Sequence, residues 1–259
     1  MKKELLICLF IGLTSVTQSA DVKATTETHK PDKQPWHFNG PFGTYDRAEL
    51  RRGLQVHREV CAVCHSMKHL RYEKLKALGF TEKDIKSIAA AYEVPRGHDD
   101  EGKIIMEKAL PKDFFANPYP SENAARAANN GALPVDLSLV IKARHHGPDY
   151  VYALLTGYTD PPKGFHLSDG MHYNQAFPGH QIAMPAPLSP DQISYPDGTK
   201  ATVKQMAHDV SAFLAWASEP EMEERKHMGV MVILFLLLFI GLMYVLMCRT
   251  WKDVKELKD

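Results

Sequence analysis

The clearest feature of the chain is a set of stretches in which apolar residues recur with a helical period. The first begins at Asp46, which can cap a helix with Glu49 three residues on. Its apolar positions fall on or near one face, at Leu50, Leu54 and Val60. Because residues three and four apart share one face of an α-helix, this stretch is predicted to be a helix with one buried side.

Shorter helices are predicted along the middle of the chain. Their spans are 70–78, 82–92, 121–129, 136–144 and 148–157. Thr81 and Ser121 are suitable N-caps, and Pro148 stands at a first helical position. Gly131 and Gly157 supply the breaks at which two of the helices are expected to end. These signals predict a mainly α fold.

Two long stretches lack any periodicity. Residues 95–120 contain several Gly and Pro and the acidic triplet Asp99-Asp100-Glu101, and are predicted to be a surface excursion. A loop of that length is either functional or a solvated insertion, and the triplet could steer a basic partner. Residues 159–196 are rich in Pro and Gly and are predicted to form an irregular wrap around the domain.

The C-terminal part contains two helices of different character. An amphipathic helix is predicted from a cap at Thr199, with Met206 on its buried stripe. Residues 228–247 then carry no charge, and twenty residues at 1.5 Å each give about 30 Å, the thickness of the bilayer hydrocarbon. The second helix is therefore predicted to be a membrane span.

The N-terminus has the pattern of an export signal over 1–20: two lysines, the apolar run 5–13, and a small polar tail that ends in Ala20. Ala24 offers a second cleavage site. A polar, flexible lead is predicted over 21–35. Export would place the body of the chain outside and the tail 249–259, with four basic residues, in the cytoplasm.

Charge and cysteine usage narrow the function. The chain has 31 basic and 31 acidic residues in 259, so no basic surplus points to nucleic acid. It has four cysteines, of which Cys8 lies in the predicted signal and Cys248 stands in the apolar C-terminal run. If the remaining pair is used by a cofactor, no thiol is left in the exported body for a disulfide.

That pair forms the motif Cys61-Ala62-Val63-Cys64-His65. Two thiols at this spacing can add to the two vinyl groups of a haem while the next residue binds the iron, which predicts one covalently attached haem c. The alternatives are half of a zinc site, a redox-active pair or buried thiols. A zinc site needs four ligands, and no second close cysteine pair exists. No βαβ pattern typical of a thioredoxin-like protein surrounds the motif.

Several stretches resemble the cytochrome c1 family, the haem subunit of the ubiquinol:cytochrome c reductase (bc1) complex. The resemblance covers about 36–251, and its central Ala-Arg-Ala-Ala-Asn-Asn-Gly run is more specific than the haem motif. The matching stretches are Leu50-Arg51-Arg52-Gly53, Cys61 to Met67, Ala124 to Pro134, Asp149-Tyr150-Val151, Leu154 to Tyr158, Phe177-Pro178-Gly179 and Ala217 to Arg225. The implied fold is a c-type cytochrome domain with long irregular loops over 36–220 and one C-terminal transmembrane helix within 221–248.

The resemblance implies axial ligands on both sides of the iron: His65 proximal and Met184 distal. Reasoning from the residues leaves Met171 and Met184 as candidates within the irregular wrap. Met184 is favoured because Pro185 and Pro187 stiffen the backbone after it. Met/His ligation leaves no open position on the iron, so an electron carrier is expected and a peroxidase-like enzyme is not.

Three further site residues come from the resemblance. Arg144 would meet a haem propionate, Asn129 and Pro134 would line the haem, and the Pro134 carbonyl would hold the proximal histidine ring. The chain departs from the usual family pattern at Val135, where Pro is usual, and at Gln175-Ala176, where Pro-Tyr is usual.

The resemblance also implies partners and a location. Electrons would come from a Rieske iron-sulfur protein and pass to a soluble or anchored cytochrome c, with cytochrome b as the membrane neighbour in a dimeric complex. The chain would cross the bacterial inner membrane once, with its haem domain in the periplasm, and would catalyse nothing alone. A membrane-anchored c-type cytochrome of another respiratory complex, such as an oxidase, is the alternative.

Overall fold

The computed structural model describes residues 30–256. The predicted signal peptide, most of the predicted lead and the end of the tail lie outside the described residues. Within them, the α-helices are α1 Arg47–Glu59, α2 Glu82–Ala90, α3 Glu122–Ala128, α4 Val140–Ala143, α5 Pro148–Thr156, α6 Val203–Ser218 and α7 Met222–Glu256. The strands are β1 Glu93–His98, β2 Ile104–Lys108, β3 His172–Tyr173 and β4 Gln181–Ile182, and short 3₁₀ helices cover Cys61–Val63, Tyr72–Leu78 and Pro178–His180.

The core of the haem-motif domain is built where α1 crosses α6. Gly53 on α1 allows the close approach, since a Cβ at this position would lie 2.1 Å from the Asp209 carbonyl oxygen. Phe213 and Trp216 on α6 are fully buried against this contact. The Arg52 guanidinium spans the junction and binds both carboxylate oxygens of Asp209 at 3.1 Å.

The predicted helix starts are mostly confirmed. The Asp46 carboxylate accepts from the first-turn amides of α1, and Thr81 forms a reciprocal capping box with Asp84. The Ser121 hydroxyl caps α3 by accepting from the Ala124 amide at 3.2 Å. The predicted cap of α6 was wrong: Thr202, not Thr199, accepts from the Gln205 amide. The segment 70–78 is helical as predicted, but its structured part is a 3₁₀ helix.

Part of the segment predicted as a surface excursion forms a hairpin. β1 and β2 pair antiparallel with a bulge between Pro95 and Gly97. Asp99 closes the turn, because its side chain accepts from the amides of Glu101 and Lys103. Periodicity did not reveal the strands, since β2 is exposed along its whole length and has no buried face to impose alternation.

The predicted membrane span lies inside α7. The part of α7 over Met222–Lys252 is long and apolar enough to cross a membrane. None of its most apolar stretch is buried against the rest of the described protein. Apart from Val230, which is half-buried, the side chains from Met228 to Met247 are exposed although nearly all are apolar. Such an apolar surface is more stable in lipid than in water, and a helix can enter lipid because its backbone groups are satisfied internally.

Candidate functional site

The haem motif is folded into a single tight turn at the end of α1. The 3₁₀ helix Cys61–Val63 follows α1 directly, and the Cys61 carbonyl accepts from the amides of Cys64 (3.1 Å) and His65 (2.9 Å). Both motif cysteines are free thiols. The turn therefore holds two thiols and one imidazole close together, as the attachment of a haem requires.

The environment of Cys61 disfavours a redox-active pair. Burial raises the pKa of the Cys61 thiol to about 12. Reactive cysteine pairs have thiol pKa values lowered towards or below neutrality, because the thiolate is the nucleophile. The pKa of Cys61 is raised instead of lowered, so this thiol lacks the property that makes such pairs reactive.

The His65 ring is oriented for metal binding. Its Nδ1 lies 2.7 Å from the Val135 carbonyl oxygen. Because a carbonyl only accepts, Nδ1 must donate, and the lone pair of the neutral ring is then on Nε2. Burial lowers the pKa of His65, which keeps the ring neutral. The expectation that the Pro134 carbonyl holds this ring was wrong: the acceptor is one residue later, at Val135.

Asp136 fixes this carbonyl relative to the motif. Its carboxylate accepts from the Ser66 hydroxyl (2.7 Å), the Lys68 amide (2.9 Å) and the Ser138 amide (3.0 Å). Burial alone would raise the pKa of Asp136, but these hydrogen bonds outweigh it and lower the pKa. Asp136 was not predicted as a site residue. The signal available in the sequence was an aspartate directly after Pro134-Val135, where its side chain can accept from backbone amides of a turn.

Asn129 reaches the motif through a tyrosine. Its side-chain amide donates to the Ala125 carbonyl at 2.7 Å and to the Tyr119 hydroxyl at 3.2 Å. The Tyr119 hydroxyl in turn lies 3.9 Å from the Cys64 sulfur. The structure thus brings Asn129 towards the motif, and it adds Tyr119, which sequence reasoning missed.

Arg144 lies at the surface beside Tyr150. Its guanidinium is exposed and donates to the Ala143 carbonyl at 3.2 Å. Burial raises the pKa of Tyr150, while the nearby Arg144 guanidinium lowers it, so the two side chains are neighbours. An exposed arginine without a carboxylate partner in the described part of the chain is available to an added anionic group.

Met184 lies in the irregular wrap predicted for it, and Tyr158 fixes its backbone. The Tyr158 hydroxyl donates to the Met184 carbonyl at 3.0 Å, and the Met184 side chain is half-buried. Met171, the alternative, is 38% exposed. Asn174, which is fully buried, ties the same wrap to α5 by donating to the Leu154 carbonyl at 2.8 Å.

His57 is a further buried residue that sequence reasoning missed. It lies one helical turn before Cys61 and packs its ring against Phe115 and Phe213. Both ring nitrogens are buried and have no hydrogen-bond partner among the described residues. Burial lowers the pKa of His57 to about 4, so the ring is neutral. Its position four residues after Gly53, on the buried face of α1, was the available signal.

These features fit a covalently attached haem better than the alternatives. Two free thiols stand on one turn, and a neutral imidazole presents Nε2 with no hydrogen-bond partner among the residues described. Comparison with known proteins gives the same result. The sequence model of the Cytochrome C1 family matches residues 36–254.

The chain belongs to the cytochrome c1 family. It is 46% identical over 240 residues to "Cytochrome c1" of Rhodospirillum rubrum, covering 86% of this chain and 88% of that one. It is 48% identical over 218 residues to "Cytochrome c1 1, heme protein, mitochondrial" of Arabidopsis thaliana, covering 84% and 71%. A Bradyrhizobium diazoefficiens protein named "Cytochrome b/c1" is 41% identical over 255 residues, which cover 90% of this chain and 37% of that protein.

Family membership gives the general role of the chain. Members of the cytochrome c1 family carry one covalently bound haem c and act as the haem electron-transfer subunit of the bc1 complex. The apolar helix α7 is the membrane anchor of this subunit, and within residues 30–256 it is the only helix long and apolar enough to cross a bilayer.

Proposed function

We propose that this chain carries one electron at a time through a haem attached to Cys61 and Cys64 and ligated by His65 and Met184. The observation that supports it best is the 2.7 Å contact between His65 Nδ1 and the Val135 carbonyl, which leaves Nε2 as the ligating atom. A His/Met-ligated haem supplies reversible one-electron chemistry at a raised reduction potential.

The residues of the chain hold and shield this group. Asp136 and Val135 fix the imidazole on the proximal side, and Tyr158 fixes the backbone of Met184 on the distal side. Arg144 is proposed to pair with a propionate, since a guanidinium matches a carboxylate in shape and charge. Asn129 and Pro134 are proposed to line the haem.

The partners are proposed from family membership. Cytochrome b is the proposed membrane neighbour, and the protein named "Cytochrome b/c1" in Bradyrhizobium diazoefficiens supports this pairing. The proposed donor is a Rieske iron-sulfur protein and the proposed acceptor a cytochrome c, within a dimeric complex. The haem domain is proposed to face the periplasm, with the C-terminus in the cytoplasm. Co-purification of b-type haem and a Rieske centre would support this complex over an oxidase.

The haem attachment can be tested by replacing the thiols. We expect Cys61→Ser or Cys64→Ser to weaken covalent attachment and the double variant to abolish it, because each thioether bond needs its own sulfur. Haem staining after denaturing electrophoresis measures this directly. Cys248→Ser, outside the motif, is the matched control and should retain full staining. Covalent haem in the double variant would refute the proposed attachment.

A further inference from the structure

The segment before α1 is fastened to the first turns of the membrane helix. The Glu223 carboxylate on α7 accepts from the Tyr45 amide at 2.7 Å and from the Arg47 guanidinium at 3.0 Å. The Tyr45 hydroxyl also donates to the Glu219 carbonyl, at 3.4 Å, just before α7. This segment therefore cannot move independently of the start of the anchor.

A second set of hydrogen bonds between the segment and α7 lies nearer the membrane. The Lys226 ammonium donates to the carbonyls of Phe38 (2.7 Å) and Gly43 (2.9 Å). Lys226 is three residues, about 4.5 Å, closer to the apolar span than Glu223. Because Phe38 and Gly43 both meet Lys226 while Tyr45 and Arg47 meet Glu223, the segment runs antiparallel to the helix from Gly43 onwards. The turn 39–43 is thus its membrane-proximal end.

This turn presents an apolar side chain to the outside. Phe42 is 80% exposed, more than any other large apolar side chain in the described part of the chain, including those of the anchor. The turn is tight: Gly40 has a φ of +76°, and a Cβ at Gly43 would lie 2.1 Å from the Asn39 carbonyl oxygen. The five residues 39–43 carry no charge. Leaving a phenylalanine in water forgoes the favourable free energy of burying its ring.

The depth of the turn matches the interfacial layer of a bilayer. The uncharged run begins at Met228, two residues or about 3 Å beyond Lys226. Each interfacial layer is about 5–7 Å thick, half the difference between the whole bilayer and its hydrocarbon core. We propose that the turn 39–43 inserts Phe42 into the lipid interface of the leaflet that adjoins the haem domain.

The contact has a consequence for the orientation of the domain. A single transmembrane helix leaves the attached domain free to tilt about its point of exit. Phe42 provides a second point of contact, away from the axis of α7, and Lys226 and Glu223 couple it rigidly to that helix. The haem domain is then held in a fixed orientation relative to the membrane surface.

Site-directed spin labelling tests this proposal on the full haem-bearing chain in phosphatidylcholine–phosphatidylglycerol vesicles. On a Cys248→Ser background, a label is placed by Phe42→Cys, Ile104→Cys in the hairpin, or Leu237→Cys in the span. We expect the label at 42 to collide several-fold less with a water-soluble nickel chelate, and more with oxygen, than the label at 104. The label at 237 should be the most protected from the chelate.

The outcomes separate lipid from other occupants. Equal nickel accessibility at 42 and 104 in vesicles would overturn the proposal. Protection at 42 that occurs only in the assembled complex, and not with the chain alone in vesicles, would assign the turn to a protein neighbour and also overturn it. In the labelled variants, Lys226→Gln should raise the nickel accessibility at 42 several-fold and leave the label at 237 protected. The reason is that this change removes the ammonium that binds the two ends of the turn and does not alter the span.

Discussion

At the scale of single residues, the two departures from the usual family pattern, at Val135 and Gln175-Ala176, lie where backbone groups make hydrogen bonds. Val135 stands where Pro is usual, yet only its carbonyl contacts His65 and its side chain is 45% exposed. At Gln175, where Pro is also usual, the amide donates to the Gly157 carbonyl at 2.9 Å, a bond that proline cannot make. Val135 therefore acts at the site through its carbonyl, and Gln175 adds a backbone hydrogen bond that the usual proline could not form.

Asp136 offers a test of the proximal side. We expect Asp136→Asn to destabilise the haem domain by about 1–3 kcal/mol, because an amide nitrogen would face amide and hydroxyl donors that now bind a carboxylate. Denaturant unfolding followed by circular dichroism measures the loss. Asp160→Asn, at an exposed position, is the control and should unfold like the unaltered chain. Equal stability of the two variants would show that the Asp136 hydrogen bonds contribute nothing.

Met184 offers a test of the distal side. Met184→Leu should keep the haem attached, lower its reduction potential on the order of 0.1 V, within the ~0.8 V that axial ligands cover, and allow carbon monoxide to bind. The physical reason is that a thioether ligand favours the reduced state. A redox titration and the carbon monoxide difference spectrum measure both effects. Met171→Leu is the matched control; if it alone lowered the potential, Met171 would be the ligand.

At the scale of elements, the fold depends on how closely α1 approaches α6. Gly53→Ala should destabilise the domain by about 1–3 kcal/mol, since the added methyl would meet the Asp209 carbonyl at 2.1 Å and the Phe213 Cβ at 2.6 Å. Thermal unfolding of the haem-bearing chain measures this. Gly229→Ala, at a helical site with nothing within 4 Å, is the control and should have no such effect. Unchanged stability of the first variant would mean that the helices separate at no cost.

At the scale of the whole molecule, the domain and its anchor share the contacts of Lys226. Ending the chain after His227 should release the haem domain from the membrane and keep its stability, because Lys226 still binds the turn 39–43. Ending it after Arg225 removes that side chain and should cost about 1–3 kcal/mol more. Fractionation after a salt wash and thermal unfolding of the two products check this. Retention of either product in the membrane would place a further anchor elsewhere in the chain.

The sequence by itself determined the local features of this protein. Caps at Asp46, Thr81 and Ser121 and the haem motif act through neighbours within one helical turn, and the run 228–247 acts through its lack of charge, so these patterns are readable along the chain. The cysteine and histidine spacing follows from the haem itself.

Only the tertiary structure decided the contacts between distant segments. The choice of Val135 over Pro134 as the acceptor for His65, the role of Asp136, and the fastening of residues 38–47 to α7 join positions 68 to 188 residues apart. No periodicity encodes such pairs, because each depends on how helices and loops pack in space. The exposed hairpin β1–β2 was missed for a related reason: its strands bury too little surface to leave a pattern in the sequence.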